Sequence, residues 1–95
     1  MDLVSGRRSR HARGQLERIA GSSLAGALRE RFGLTRMEAV VACEIAEGMT
    51  YAEMARRLAI SSHTVHSHVK EIHLKLGVHS NGRAAALIRR LDGQK

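Results

Sequence analysis

Ser62, His63, His66, Ser67, Lys70, His73 and Lys75 fall within one short stretch of the chain, where Glu71 is the only acid. Hydroxyls, imidazoles and ammonium groups all donate hydrogen bonds, so this set suits a partner rich in acceptors and negative charge. An ordinary solvated helix alternates the sign of its charges, and this one does not. The same residues invite a metal, since His63 and His66 stand three apart and His73 follows two turns on. No carboxylate falls at a matching step, however, and a single cysteine excludes a thiolate cluster, so no metal is expected. Cys43 reads as a small buried hydrophobe rather than a nucleophile. The sequence holds neither a nucleophile–base set nor a glycine-rich phosphate loop. It predicts neither an enzyme nor a cofactor.

The elements that must position these side chains are written in caps and stripes. Thr35 with Glu38, and Thr50 with Glu53, each have capping-box spacing. Met37, Val40, Val41, Ile45 and Ala46 follow the first box at helical steps, and Gly48 ends that helix. Met54, Ala55 and Leu58 follow the second, giving a helix of about two turns. Ala59-Ile60-Ser61 leaves room only for a tight turn. Ser61 or Ser62 caps the next helix, whose inward stripe is Val65, Val69, Ile72 and Leu76, with Gly77 as its end. Ser80 or Asn81 starts a last helix with Ala84, Leu87, Ile88 and Leu91 on one face. Upstream, Leu16, Ile19, Ala20, Leu24, Ala27, Leu28 and Phe32 predict a helix over 15–33 that bends or breaks near Gly21-Ser22-Ser23. Residues 1–14 lack an apolar period and read as a disordered basic arm. No period-two pattern is present, so the fold is all-α.

Composition narrows the partner. Ninety-five residues with a 43% hydrophobic share make one domain with a modest core, and 2% aromatics make that core aliphatic. No apolar run suffices for a bilayer, and no secretory signal opens the chain, so a cytoplasmic protein without a membrane partner is expected. The net charge of +7 is unevenly spread. Residues 1–14 hold four arginines against Asp2, 15–48 are near neutral, and 49–95 hold eight Lys or Arg against three acids. A basic tail and a basic C-terminal half suit a polyanion. The tail's Arg7-Arg8-Ser9-Arg10 fits non-specific phosphate attraction better than minor-groove insertion. Met1 favours a complete reading frame, in which no input domain has room.

A short helix, a tight turn and a longer amphipathic helix over 50–76 form the plan of a helix-turn-helix, in which the second helix enters the major groove. Leu34-Thr35, Glu38, Ala46-x-Gly48, Glu53-Met54-Ala55, Leu58-x-Ile60-Ser61, Thr64-Val65, His68, Ile72 and Lys75-Leu76-Gly77-Val78 carry a more specific likeness. Over 34–92 the chain resembles the LuxR-type helix-turn-helix domain of bacterial transcription regulators. The resemblance implies a four-helix domain, a tri-helical core plus a C-terminal helix, here preceded by the extra helix and the arm. It implies sequence-specific binding of double-stranded DNA as a homodimer, with RNA polymerase or another regulator as further partners. His63, His66, Ser67 and Lys70 fall at the family's base-facing places, and Thr64 and Lys75 at phosphate contacts. Thr50 and Tyr51, starting the bracing helix, and Ser62, at a helix N-terminus, also suit phosphate. Ala84, Leu87, Ile88 and Leu91 match the dimer face, and His68 the place that packs on the core. Two other plans suit parts of the chain: a sigma-factor-like promoter-reading domain, and a helical anti-activator that binds another protein.

Three positions depart from the family pattern. His66 replaces a usual Lys, Glu71 a frequent Asn, and Asn81 a common Arg. A neutral imidazole lacks the permanent charge of lysine. Duplex affinity should therefore rise as buffer is changed from mildly alkaline to mildly acidic. His63→Asn and His66→Asn together should flatten that response in a binding titration.

Overall fold

The structure, a computed structural model, describes Gly14 and residues 16–93. The expected arm over 1–14 therefore lies outside the described residues, apart from Gly14. Among the described residues every regular element is helical. A helical segment over 16–20 (α1) is followed by α2 (Ser23–Phe32), α3 (Arg36–Ala46), α4 (Tyr51–Leu58), α5 (Ser62–Leu76) and α6 (Asn81–Asp92). None of these helices is long and apolar enough to cross a membrane.

The upstream helix is interrupted at the glycine. The Gly21 amide donates to the Glu17 carbonyl at 3.0 Å, and Ser22 then caps a new helix by accepting from the Ala25 amide at 3.1 Å. A serine oxygen offers the first-turn amides a partner that a continuous helix would not need. Gly33 closes α2 in the left-handed conformation, φ 71°. Both capping boxes form as the spacing predicts. Thr35 and Glu38 exchange bonds of 3.1 and 2.9 Å, as do Thr50 and Glu53. Ser61 caps α5 and Ser80 caps α6, which settles both alternatives.

The core is organised around α3, which packs against α2, α5 and α6, while α4 leans on α5. Residues 38–45 of α3 are all buried, so this helix has scarcely an outer face. Its burial is wider than the stripe of apolar positions suggests. Cys43 is among the buried residues, and burial pushes its thiol up to about 11, so it stays an unreactive SH. At the other end, Arg89 of α6 donates twice to the Ala46 carbonyl, at 3.0 and 2.7 Å. A cation there satisfies a last-turn carbonyl and complements the helix dipole.

Glu44 is the exception within this core. Its side chain is fully buried, and neither carboxylate oxygen has a hydrogen-bond partner. The Arg57 guanidinium of α4 stands 3.8 Å away, too far for a hydrogen bond. Burial raises the Glu44 carboxyl to about 7, with Arg57 opposing and Glu47 assisting. The folded chain thus holds this proton more tightly than the unfolded chain does. Stability from Glu44 is greatest below the ordinary carboxylate range near 4.5 and falls as pH rises through about 7. That displacement is worth about 3 kcal/mol. Thermal unfolding of Glu44→Gln should lose this part of the pH dependence. Glu44→Leu should raise the midpoint in mildly alkaline buffer by roughly 10 °C. An unchanged Glu44→Leu midpoint would mean that the native carboxylate is adequately solvated.

Candidate nucleic-acid interface

The interface is built from α4, the turn after it, and α5. The α4 helix is short because Ala59 takes the left-handed conformation, φ 58°, where a residue with a Cβ loses about 1 kcal/mol. Ile60 then donates back to the Ala55 carbonyl at 3.0 Å, and the chain turns directly into the Ser61 cap. The Ser61 hydroxyl accepts from the Thr64 amide at 3.0 Å and pairs with the Thr64 hydroxyl at 2.8 Å. Met54 and Leu58 of α4 are buried. They hold the two helices in one unit.

Along α5, Val65, Val69, Ile72 and Leu76 are all buried. This seam fixes which side of the helix meets solvent. His63, His66, Ser67, Lys70 and Glu71 are exposed on the outer side, with Ser62 at the start. The four positions expected to face bases thus share one exposed surface. Thr50 is also exposed, whereas Thr64 is half-buried with its hydroxyl already engaged by Ser61. His68 is half-buried, in keeping with a side chain that packs on the core.

Lys75, Tyr51 and His66, all expected contact residues, also have partners inside the chain. Lys75 donates to Glu38 at 2.8 Å, and its side chain is 29% exposed. Burial pushes the Glu38 carboxyl up, but Lys75 and the Thr35 amide outweigh it, leaving a net value below the ordinary one. Lys75 therefore ties α5 to the start of α3, and much of its charge is used there. Tyr51 is half-buried; its hydroxyl accepts from the Asn81 side-chain amide at 2.9 Å. Its ring also meets His66 edge-on, with centroids 4.4 Å apart and an interplanar angle of 89°. The Asn81 oxygen in turn lies 2.8 Å from His73 Nε2. With the oxygen as acceptor, Nε2 must carry the proton. A continuous polar chain thus runs His73–Asn81–Tyr51 and reaches His66 by ring contact.

On α6, Ala84 and Ile88 have no exposed surface, so the monomer's own core occupies half of the expected dimer face. Leu87 and Leu91 remain half-buried and partly open. Asn81 stood out in the sequence as a departure from a pattern and as a possible cap, and its bridging role depends on a tyrosine 30 residues away. Capping position was the sole local hint.

Comparison with known proteins gives one family. The model described as GerE, bacterial regulatory proteins of the luxR family, matches residues 33–88. No curated protein and no solved structure matches the chain.

The polar chain on Asn81 has a measurable energy. Asn81→Ala removes two side-chain hydrogen bonds and should cost about 1–2 kcal/mol in denaturant unfolding. Tyr51→Phe removes one and should cost roughly half as much. Equal costs would show that the His73 bond carries none of the energy.

Proposed function

The chain belongs to the luxR family of bacterial regulatory proteins, and from that premise we propose that it is a sequence-specific transcription regulator that reads DNA with α5. One observation supports this most: His63, His66, Ser67 and Lys70 are exposed together on the side of α5 opposite its buried seam. An α-helix fits the major groove, where base edges present acceptors to such donors. Lys70 is the natural partner of a guanine O6 or N7, and the two histidines and Ser67 take shorter-range contacts. Thr50, Ser62 and the amides at the start of α5 suit phosphate, since a helix N-terminus favours an anion. Tyr51 shapes the edge of the site by holding the His66 ring. Lys75 serves mainly to hold α5 on α3.

The operator-bound form in this reading is a homodimer on half-sites about one helical turn apart. Of the four α6 residues expected at the dimer face, Leu87 and Leu91 have surface left to contribute. Such a protein works in the cytoplasm on the nucleoid and needs no cofactor.

Binding to random duplex should weaken steeply with added salt, because each neutralised phosphate releases counterions. On a selected cognate site, Lys70→Ala should lose about 1–3 kcal/mol and relax the preference at one base pair. Selection from a random DNA library, followed by titration of the variant, checks both. A wild-type chain that selects no sequence at all would end the proposal.

A further inference from the structure

Among the described residues Leu74 is the one large hydrophobic side chain that is exposed, at 68%. A single surface leucine is ordinary in a folded protein. Its position is not. At 100° per residue, Leu74 lies about 40° around α5 from Lys70 and about 20° from His63, between the arcs of His63 and Ser67. It therefore continues the exposed stripe of His63, His66, Ser67 and Lys70 toward the C-terminal end of the helix. Beside it is a shallow hollow of about 320 Å³, lined by Lys70, His73, Leu74, Gly77, Val78 and His79. Lys70 and His79 are exposed on its rim, and the nearest acid on the helix, Glu71, lies about 60° farther round than Leu74.

We propose that Leu74 is a specificity-determining residue that packs on the 5-methyl group of a thymine in the major groove. This rests on the reading of α5 as the groove helix. The thymine methyl is the apolar feature that base pairs offer in that groove. The His79 imidazole on the rim can donate to a phosphate flanking such a base, and the Lys70 ammonium disfavours a basic or purely apolar protein partner. Leu74 stands four residues beyond Lys70, about 6 Å along the helix. The thymine accordingly lies one or two base pairs from the pair contacted by Lys70.

The test uses the full chain and a duplex taken from library selection, with each thymine replaced in turn by deoxyuridine, which removes only the methyl group. At one thymine per half-site the wild-type chain should weaken about threefold to tenfold on replacement. Leu74→Ala should bind the thymine duplex with the same loss and show no further response to deoxyuridine there. The exposed position makes this variant a safe one for folding, and unaltered thermal unfolding verifies it. Wild-type selectivity with no thymine responding to Leu74→Ala overturns the proposal while leaving the groove reading intact. So does a Leu74→Ala loss that is equal at every thymine, or a loss seen only in binding to another protein. Failure of the groove reading itself shows separately, as an absence of selected sequences and of any effect of Lys70→Ala.

Discussion

The burial of α3 is the constraint on which the other helices depend. A helix with residues 38–45 all inside must be surrounded, and α2, α5 and α6 do the surrounding. With so few aromatic residues the core relies on close approach of Ala, Val, Ile and Leu side chains rather than on large rings. The orientation of α5 follows from this. Its Val65–Val69–Ile72–Leu76 seam is the one face that can bury against the core, so the polar face has a single place to go. Hydrophobic packing alone, however, tolerates small rotations of a helix about its axis.

Polar links remove that freedom. Lys75 ties the C-terminal end of α5 to Glu38, a residue that also completes the α3 capping box. Asn81 joins α5, through His73, to α4, through Tyr51. These contacts act on the rotation and tilt of the outer face. Asn81 thus serves as a bridging amide rather than a cation, which favours positioning over electrostatic attraction. His66 is held in a similar way, its ring meeting Tyr51 edge-on.

Most of the helical plan was legible because its determinants are local. Threonine–glutamate boxes, serine caps, a left-handed glycine and a seam at steps of three and four act within a few residues. The break after α1 was legible for the same reason, from Gly21 and Ser22. Features that depend on partners distant in sequence were not. The wheel of α3 gives it one apolar face, and only the packing of three neighbouring helices shows that Glu44 is enclosed as well. The pairing of Lys75 with Glu38, 37 residues away, is one such feature. Ala84 and Ile88 matched a dimer face by pattern, yet a periodic apolar face does not say whether it meets its own chain or another. Leu74 escaped attention because apolar residues are sought inside.

Charge accounting gives the site its character. The C-terminal half is strongly basic, but Lys75 is paired with Glu38 and Arg89 is committed to the Ala46 carbonyl. Arg57 stands beside Glu44. The cation left on the outward arc of α5 is Lys70, accompanied by imidazoles and hydroxyls. Lys75, paired with Glu38, adds little local field to that arc. In the proposed reading, discrimination falls more heavily on contacts with direction or shape: hydrogen bonds from His63, His66 and Ser67, and the apolar end at Leu74. Those contacts are short-ranged, so they reward accurate placement of α5. The buried seam and its polar ties supply that accuracy, and the fold and the chemistry of the site answer to the same requirement.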